Sequence, residues 1–356
     1  MNIYSERINL LKSKVKDNSF LITNDKNIYY FTGLWDSNGY LLVTENNAYL
    51  LVDFRYGEVA EKTVTSANVI VFDNFFDALN KLAKENDINS CYFETNHMTV
   101  SQFKEFAEKL NFSLFDSNIL DNVIEEMRII KDSEEYTLMK KAQEITEQAY
   151  YNIIPLMKEG TSEREVSVAL EHQMKLLGAD DISFDLITIT GEKTSLPHGM
   201  PSDKKIKTGD FFTLDIGATY KGYHSDMTRT VCICEPSEEM KKVYGIVLEA
   251  HNLALASVKP GVKCSEIDKI ARDYIYENGY KGCFGHATGH GVGLDIHEKP
   301  TVGPKCDTIL KQGMVITIEP GIYLKDKFGV RIEDTVIVTE NGYKTFATIP
   351  KELTII

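Results

Sequence analysis

The sequence predicts an α/β chain of two domains, a small α/β domain over residues 1–125 and an α+β domain over residues 126–356 made of two similar halves. Three observations carry this. The length of 356 residues exceeds one ordinary domain of about 100–200 residues and allows two separate cores. Over the first 120 or so residues, short strand-like apolar runs alternate with helical patterns. After that, a long helix, a shorter helix and two β segments occur in the same order twice.

In the first domain, Phe20 to Thr23, Tyr40 to Val43, Tyr49 to Val52, Val69 to Phe72 and Cys91 to Phe93 read as strands. Phe75 to Lys84 and Ser101 to Leu110 read as helices. A helix over Ile119 to Lys131 leads into the second domain, because Asp132 and Ser133 open a stretch of long helices with cap signals.

The internal echo lies in the order of elements more than in identities. Lys158-Glu159-Gly160-Thr161-Ser162-Glu163 resembles Lys259-Pro260-Gly261-Val262-Lys263-Cys264-Ser265-Glu266. A long helix precedes each (Ser133 to Met157, Ser237 to Val258) and a shorter one follows (Glu163 to Leu177, Glu266 to Glu277). In each junction Gly ends one helix and Ser caps the next, with Ser162 and Glu165 forming a capping box. The β segments that follow are Phe211 to Ala218 and Tyr223 to Cys234, then Met314 to Tyr323 and Val330 to Thr339. Asp215 and Glu319 are 104 apart, Asp226 and Glu333 are 107 apart, and Gly160 and Gly261 are 101 apart. The expectation is two αα-plus-hairpin halves about a pseudo-twofold axis, with the four acids at equivalent places near its centre.

These four acids and His290 read as ligands for two hard divalent cations. Four carboxylates neutralise two such ions, whereas without metal they would repel one another in a pocket of low dielectric. A Tyr220-Lys221 turn would set Asp215 directly opposite Asp226, and a Lys221-Gly222 turn would set them diagonally. His290 lies in the glycine-rich run His286-Ala287-Thr288-Gly289-His290-Gly291-Val292-Gly293, where the backbone can approach closely. His198 and His297 are candidates to orient substrate and to donate hydrogen bonds to a developing oxyanion. Arg331 shares a strand face with Glu333 by parity, so its guanidinium should point toward that ligand and orient a carboxylate. His224 shares a face with Asp226, either supporting the ligands from behind or solvated near the turn. His97, His172 and His251 read as surface or core residues.

A net charge of -14 argues against a nucleic-acid or anionic-membrane partner, which needs clustered Lys and Arg. Met1 to Leu11 has no long apolar core, and no stretch approaches the roughly 18 apolar residues of a membrane span, so a cytoplasmic protein is expected. The six cysteines form no C-x-x-C pair and are expected reduced; a soft-metal site at Cys232 and Cys234 would need two more ligands.

Taken together, Leu196-Pro197-His198-Gly199, Leu214-Asp215-Ile216-Gly217, Ser225-Asp226-Met227-Thr228-Arg229-Thr230, Gly289-His290-Gly291-Val292-Gly293-Leu294-Asp295-Ile296-His297-Glu298, Ile318-Glu319-Pro320-Gly321 and Val330-Arg331-Ile332-Glu333-Asp334 resemble the proline-specific peptidases of metallopeptidase family M24. These are prolidase (Xaa-Pro dipeptidase) and Xaa-Pro aminopeptidase, of the pita-bread fold, relatives of methionine aminopeptidase and creatinase. The resemblance spans the chain. It implies a creatinase/prolidase-like N-terminal domain and a pita-bread catalytic domain. It also implies two divalent ions, manganese first, with cobalt, zinc or iron as alternatives, on Asp215, Asp226, His290, Glu319 and Glu333.

Substrate roles are implied for His198, His297, Arg331 and His286. Two cations sharing a water would lower its pKa, Glu319 would shuttle the proton, and His297 or His198 would steady the oxyanion. The implied substrates are short proline-containing peptides. The implied assembly is a homodimer in which the loop Gly33-Leu34-Trp35-Asp36-Ser37-Asn38-Gly39 shapes the partner's active site. A dipeptidase is favoured over an aminopeptidase acting on longer peptides. A methionine aminopeptidase is disfavoured by the N-terminal domain, and an inactive peptide-binding relative by the intact ligand set.

Overall fold

A computed structural model of the protein describes residues 2–14 and 18–356, so that Met1, the first residue of the run read for a leader, lies outside the described residues. The chain divides into two compact units, Met1–Arg128 and Ile129–Ile356.

Among its described residues the first unit carries six strands, β1 Ser19–Ile22, β2 Tyr40–Val43, β3 Ala48–Asp53, β4 Asn68–Phe72, β5 Ser90–Phe93 and β6 Ser113–Phe115, in the sheet order β4-β3-β2-β1-β5-β6. Its helices are α1 Ile3–Lys14, α2 Asp25–Thr32, α3 Phe54–Thr63, α4 Phe75–Glu85, α5 Val100–Lys109 and α6 Ile119–Arg128. One face of the sheet builds a core with Leu21, Leu42 and Leu51 against Leu79 and Phe106 of the helices. The sequence reading missed α2 because Ile28-Tyr29-Tyr30-Phe31 is a continuous apolar run, which periodicity assigns to neither helix nor strand. The cap decides it, since Asn24 Oδ1 accepts from the amides of Lys26 and Asn27. The helix expected to reach Lys131 ends at Arg128. Lys131 already donates its amide to Gly313 O, a bond within the second unit.

The second unit holds four long helices, α7 Ser133–Ile153, α8 Glu163–Leu176, α9 Glu238–Ser257 and α10 Cys264–Ile275. Its strands are β7 Asp181–Ile182, β8 Ile187–Thr190, β9 Phe211–Ile216, β10 Ala218–Tyr220, β11 Tyr223–His224, β12 Met227–Cys232, β13 Gly289–Gly291, β14 Glu298–Val302, β15 Val315–Ile318, β16 Gly321–Leu324, β17 Phe328–Arg331, β18 Asp334–Val338 and β19 Tyr343–Thr345. They form sheets β12-β9-β8 and β11-β10-β7 in the first half, and β14-β13-β15-β18-β19 and β16-β17 in the second.

The two halves repeat at the level of single hydrogen bonds. Gly160 donates its amide to Ile206 O at 3.0 Å, and Gly261 donates to Leu310 O at 2.9 Å. Ile206 N returns to Thr161 O as Leu310 N returns to Val262 O. Each half also has its own core: Val166 and Leu170 of α8 pack with Leu214, Ile216 and Val231, and Ile267 and Ala271 of α10 pack with Ile316, Ile318 and Val330. The Ser162–Glu165 capping box forms, with Glu165 Oε2 accepting from Ser162 N at 2.7 Å. The matching expectation for Ser265 fails, because α10 starts two residues earlier than expected, at Cys264, and Glu266 Oε2 accepts from Lys263 N instead.

Candidate metal centre

The register of the first acid-bearing hairpin decides between the two turns that the sequence leaves open. Tyr220 faces Tyr223 and Asp215 faces Thr228, so the turn is Lys221-Gly222, both at positive φ. Asp226 is thus diagonal to Asp215. The second hairpin pairs Val315 with Ile337 and Gly321 with Arg331, and this register puts Glu319 directly across from Glu333. The two carboxylate pairs are therefore alike in element order and different in register. Three of the acids sit where strands break, at Ser225-Asp226, Glu319-Pro320 and Ile332-Glu333. Leaving the ladder there frees the side chains to converge, and Pro320 has no amide to continue it.

Hydroxyls hold two of the carboxylates and a guanidinium holds a third. Glu333 accepts from Thr228 Oγ1 at 2.7 Å, and its backbone is gripped by Thr228 O and Arg229 Nη1. Glu319 Oε1 accepts from Thr317 Oγ1 at 3.2 Å while Glu319 N donates to Thr288 O. Thr335 Oγ1 donates to Asp226 O, tying the first hairpin to the second. Asp215 Oδ2 accepts from Arg331 Nη2 at 2.6 Å, and its Oδ1 is buried with no hydrogen-bond partner.

His290 completes the cluster. Its Nδ1 lies 3.0 Å from Gly291 O, and since a carbonyl only accepts, Nδ1 carries the hydrogen. The lone pair of Nε2 then faces Asp226 Oδ2 at 3.5 Å and Glu319 Oε1 at 3.4 Å. Ligand atoms of Asp226, His290 and Glu333 all lie within 4.8 Å of one another. Burial, with the neighbouring acids adding to it, holds Asp226 and Glu333 protonated well above the usual carboxylate range, and Glu319 is pushed up to about 7. Acids that repel when charged are crowded together, and the buried Asp215 Oδ1 has no hydrogen-bond partner. A donor set of this kind fits divalent cations.

Arg331 spends four of its N–H groups within the chain. Nε donates to Thr228 Oγ1, Nη1 to Pro197 O and Tyr323 OH, and Nη2 to Asp215. It therefore holds a proposed ligand instead of offering an open fork to a substrate carboxylate, and the ligand is Asp215, not Glu333. Tyr323 is a residue the sequence reading left without a role. It lies diagonal to Arg331 across β16 and β17, a relation that the hairpin register alone would have revealed. Its hydroxyl is 2.8 Å from His286 Nε2. His286 Nδ1 faces Ala287 O at 2.8 Å, and burial pushes this imidazole down to about 4. It is thus neutral at pH 7, with its N–H on Ala287 O, and it accepts from Tyr323. That leaves it no N–H for an oxyanion.

His297 stands against His290, with ring centroids 4.4 Å apart. His198 is exposed on the connection that follows β8, close enough for its charge to bear on Glu319, His286 and His297. His97 and His172 are exposed and His251 is fully buried. His224 Nδ1 meets Thr219 Oγ1 at 3.2 Å.

Residues 137–340 match metallopeptidase family M24, and residues 7–130 match the creatinase/prolidase N-terminal domain. The chain is 40% identical over 359 residues to an Xaa-Pro dipeptidase of Pyrococcus horikoshii, covering 99% of this chain and 100% of that protein. An Xaa-Pro dipeptidase from Bacillus anthracis superposes with a TM-score of 0.95 at 39% identity, over 99% of this chain and 100% of that one. An X-Pro aminopeptidase from Thermotoga maritima superposes with a TM-score of 0.89 at 37% identity, over 99% of each chain.

Proposed function

The chain belongs to metallopeptidase family M24, and from that membership we propose that it hydrolyses the Xaa-Pro bond of short peptides as an Xaa-Pro dipeptidase. The observation that carries this reading is the full-length similarity to Xaa-Pro dipeptidases, joined to a buried set of acids with a histidine lone pair aimed among them.

Asp215, Asp226, His290, Glu319 and Glu333 would hold two divalent cations, manganese first, with cobalt, zinc or iron also suited to an oxygen-rich set. When bound, such cations supply Lewis acidity, polarising the scissile carbonyl and acidifying water. The rest of the work belongs to side chains. Glu319, with Oε1 held by Thr317, offers Oε2 as the atom that takes a proton from water and returns it to the prolyl nitrogen. That nitrogen needs the proton to leave as the amine of proline, since the unprotonated amide anion is too poor a leaving group. His297, and His198 from its exposed connection, donate N–H groups to the oxyanion as it forms. Arg331 fixes Asp215 and ties it through Tyr323 to His286.

The first unit is proposed to mediate a cytoplasmic homodimer and to shape the partner's site. Trp35 is half exposed in the loop after Gly33, its ring edge-on to Tyr29 at 5.1 Å, and is available for such a contact. No helix among the described residues is long and apolar enough to cross a membrane.

The second reading is an Xaa-Pro aminopeptidase, favoured by the 37% identity to the Thermotoga maritima protein. Mass-spectrometric hydrolysis of Ala-Pro beside Ala-Pro-containing tri- and pentapeptides by manganese-loaded protein separates the two. Cleavage of the dipeptide alone supports the dipeptidase, cleavage mainly of the longer peptides supports the aminopeptidase, and an Asp226→Asn variant should cleave neither.

A further inference from the structure

Glu163 is a fully buried acid outside the metal cluster, and its two oxygens close off the base of the connection that carries His198. Oε1 accepts from Thr190 N at 2.9 Å, at the end of β8. Oε2 accepts from Lys193 Nζ at 2.5 Å and from Ser202 N and Oγ at 2.9 and 2.7 Å, on the returning chain. Lys193 spends its remaining two donors on the same connection, on Met200 O at 2.7 Å and Ser202 Oγ at 2.9 Å. The helix itself joins in, since Arg164 N donates to Ser202 O. One carboxylate and one ammonium thus staple the outgoing and returning chains together.

The stapled arm is aimed at the site. Thr194 Oγ1 accepts from Gly329 N at 2.8 Å on β17, and a Cβ on Gly329 would fall 2.2 Å from Thr194 O, so the two backbones pass in direct contact. Two residues further along β17, Arg331 Nη1 donates to Pro197 O, the residue before His198. His198 itself is exposed, as are Leu196 and Met200 on either side of it, so the path of the arm is what sets where the ring can reach. Its position is inherited from the arm.

We propose that Glu163 and Lys193 are the positioning pair for His198, setting where that imidazole stands over the acidic cluster without touching substrate. A fully buried acid that meets only hydrogen-bond donors and one ammonium has its charge satisfied locally, so it can be conformationally rigid at little cost. This inference rests on the role given to His198 above.

The test uses full-length, manganese-loaded protein with Glu163→Gln and Lys193→Met, each alone and combined with His198→Ala. Glu163→Gln keeps the shape and sets an amide NH2 against the existing donors. The expected result is a fall in kcat/KM of about tenfold to a hundredfold for either single variant in the His198 background, with no further fall when His198 is already Ala. Metal content should stay at the wild-type level. Hydrogen exchange over residues 194–201 should speed up in both variants, a readout independent of activity. An equal loss of kcat/KM with and without His198 would overturn the proposal, as would unchanged exchange in the arm. If the wild type cleaves no Xaa-Pro peptide, the dipeptidase reading fails, and the exchange rates still decide whether the pair holds the arm.

Discussion

Arg331 donates from Nη2 to Asp215 Oδ2 at 2.6 Å, so a buried guanidinium is built into the acidic cluster. From there it reaches the ring of His286 through Tyr323 OH. Its acceptors lie in different directions, and only a planar fork can serve them together. Arg331→Lys should therefore lower kcat/KM by about a hundredfold, and Tyr323→Phe by about tenfold, with bound metal retained in the latter. Steady-state kinetics beside elemental analysis would check this, and a fully active Arg331→Lys enzyme would contradict it.

Thr228 connects one proposed ligand to the residue that holds another, giving its hydroxyl hydrogen to Glu333 Oε2 and taking the Nε hydrogen of Arg331, which is bound to Asp215. Thr228→Val keeps the shape and removes both bonds. Manganese affinity measured by calorimetric titration should drop about tenfold to a hundredfold, with the fold intact by circular dichroism.

Metal-free protein should be most stable in mild acid. Glu319, buried beside Asp215, has its folded pKa raised from 4.5 to about 7, so the unfolded chain releases this proton first as the pH rises. The contribution of a raised acid is present below 4.5, is lost through the window from 4.5 to about 7, and stays lost above it. Asp226 and Glu333 are raised as well and push in the same direction. Calorimetry of chelator-treated protein should show a Tm that falls between pH 5 and pH 8, and a gap to the manganese-loaded protein that widens over the same range. A Glu319→Gln variant should show a shallower fall. A metal-free Tm that rises toward pH 8 would speak against a repelling cluster.

Much of this arrangement was legible in the chain because the duplicated unit repeats its hydrogen bonds: the Gly160 and Gly261 junctions are the same joint built twice. Asp226 showed where legibility ends. Its face was readable, but whether it sits opposite or diagonal to Asp215 depended on which two residues made the turn, and Lys221-Gly222 takes a conformation that the alternating strand pattern does not report. Tyr323 and Thr228 were silent because an uncharged residue in a strand announces no chemistry until the fold shows its neighbours, Arg331 diagonal to Tyr323 and, from the other hairpin, Glu333 and Arg331 on Thr228. His286 was given a substrate role by resemblance alone, because its neutral state and the direction of its N–H follow from Ala287 O and from burial. In the first unit, the apolar run of α2 hid a helix that only its Asn24 cap distinguishes.

Asp215, Asp226, His290, Glu319 and Glu333 are proposed to seat two divalent cations, and native mass spectrometry after reconstitution with manganese counts them. Two ions per chain are expected in the wild type, with a reduced load in Asp226→Asn and Glu333→Gln. A wild type that binds no manganese, or variants that bind as much as it does, would contradict the claim.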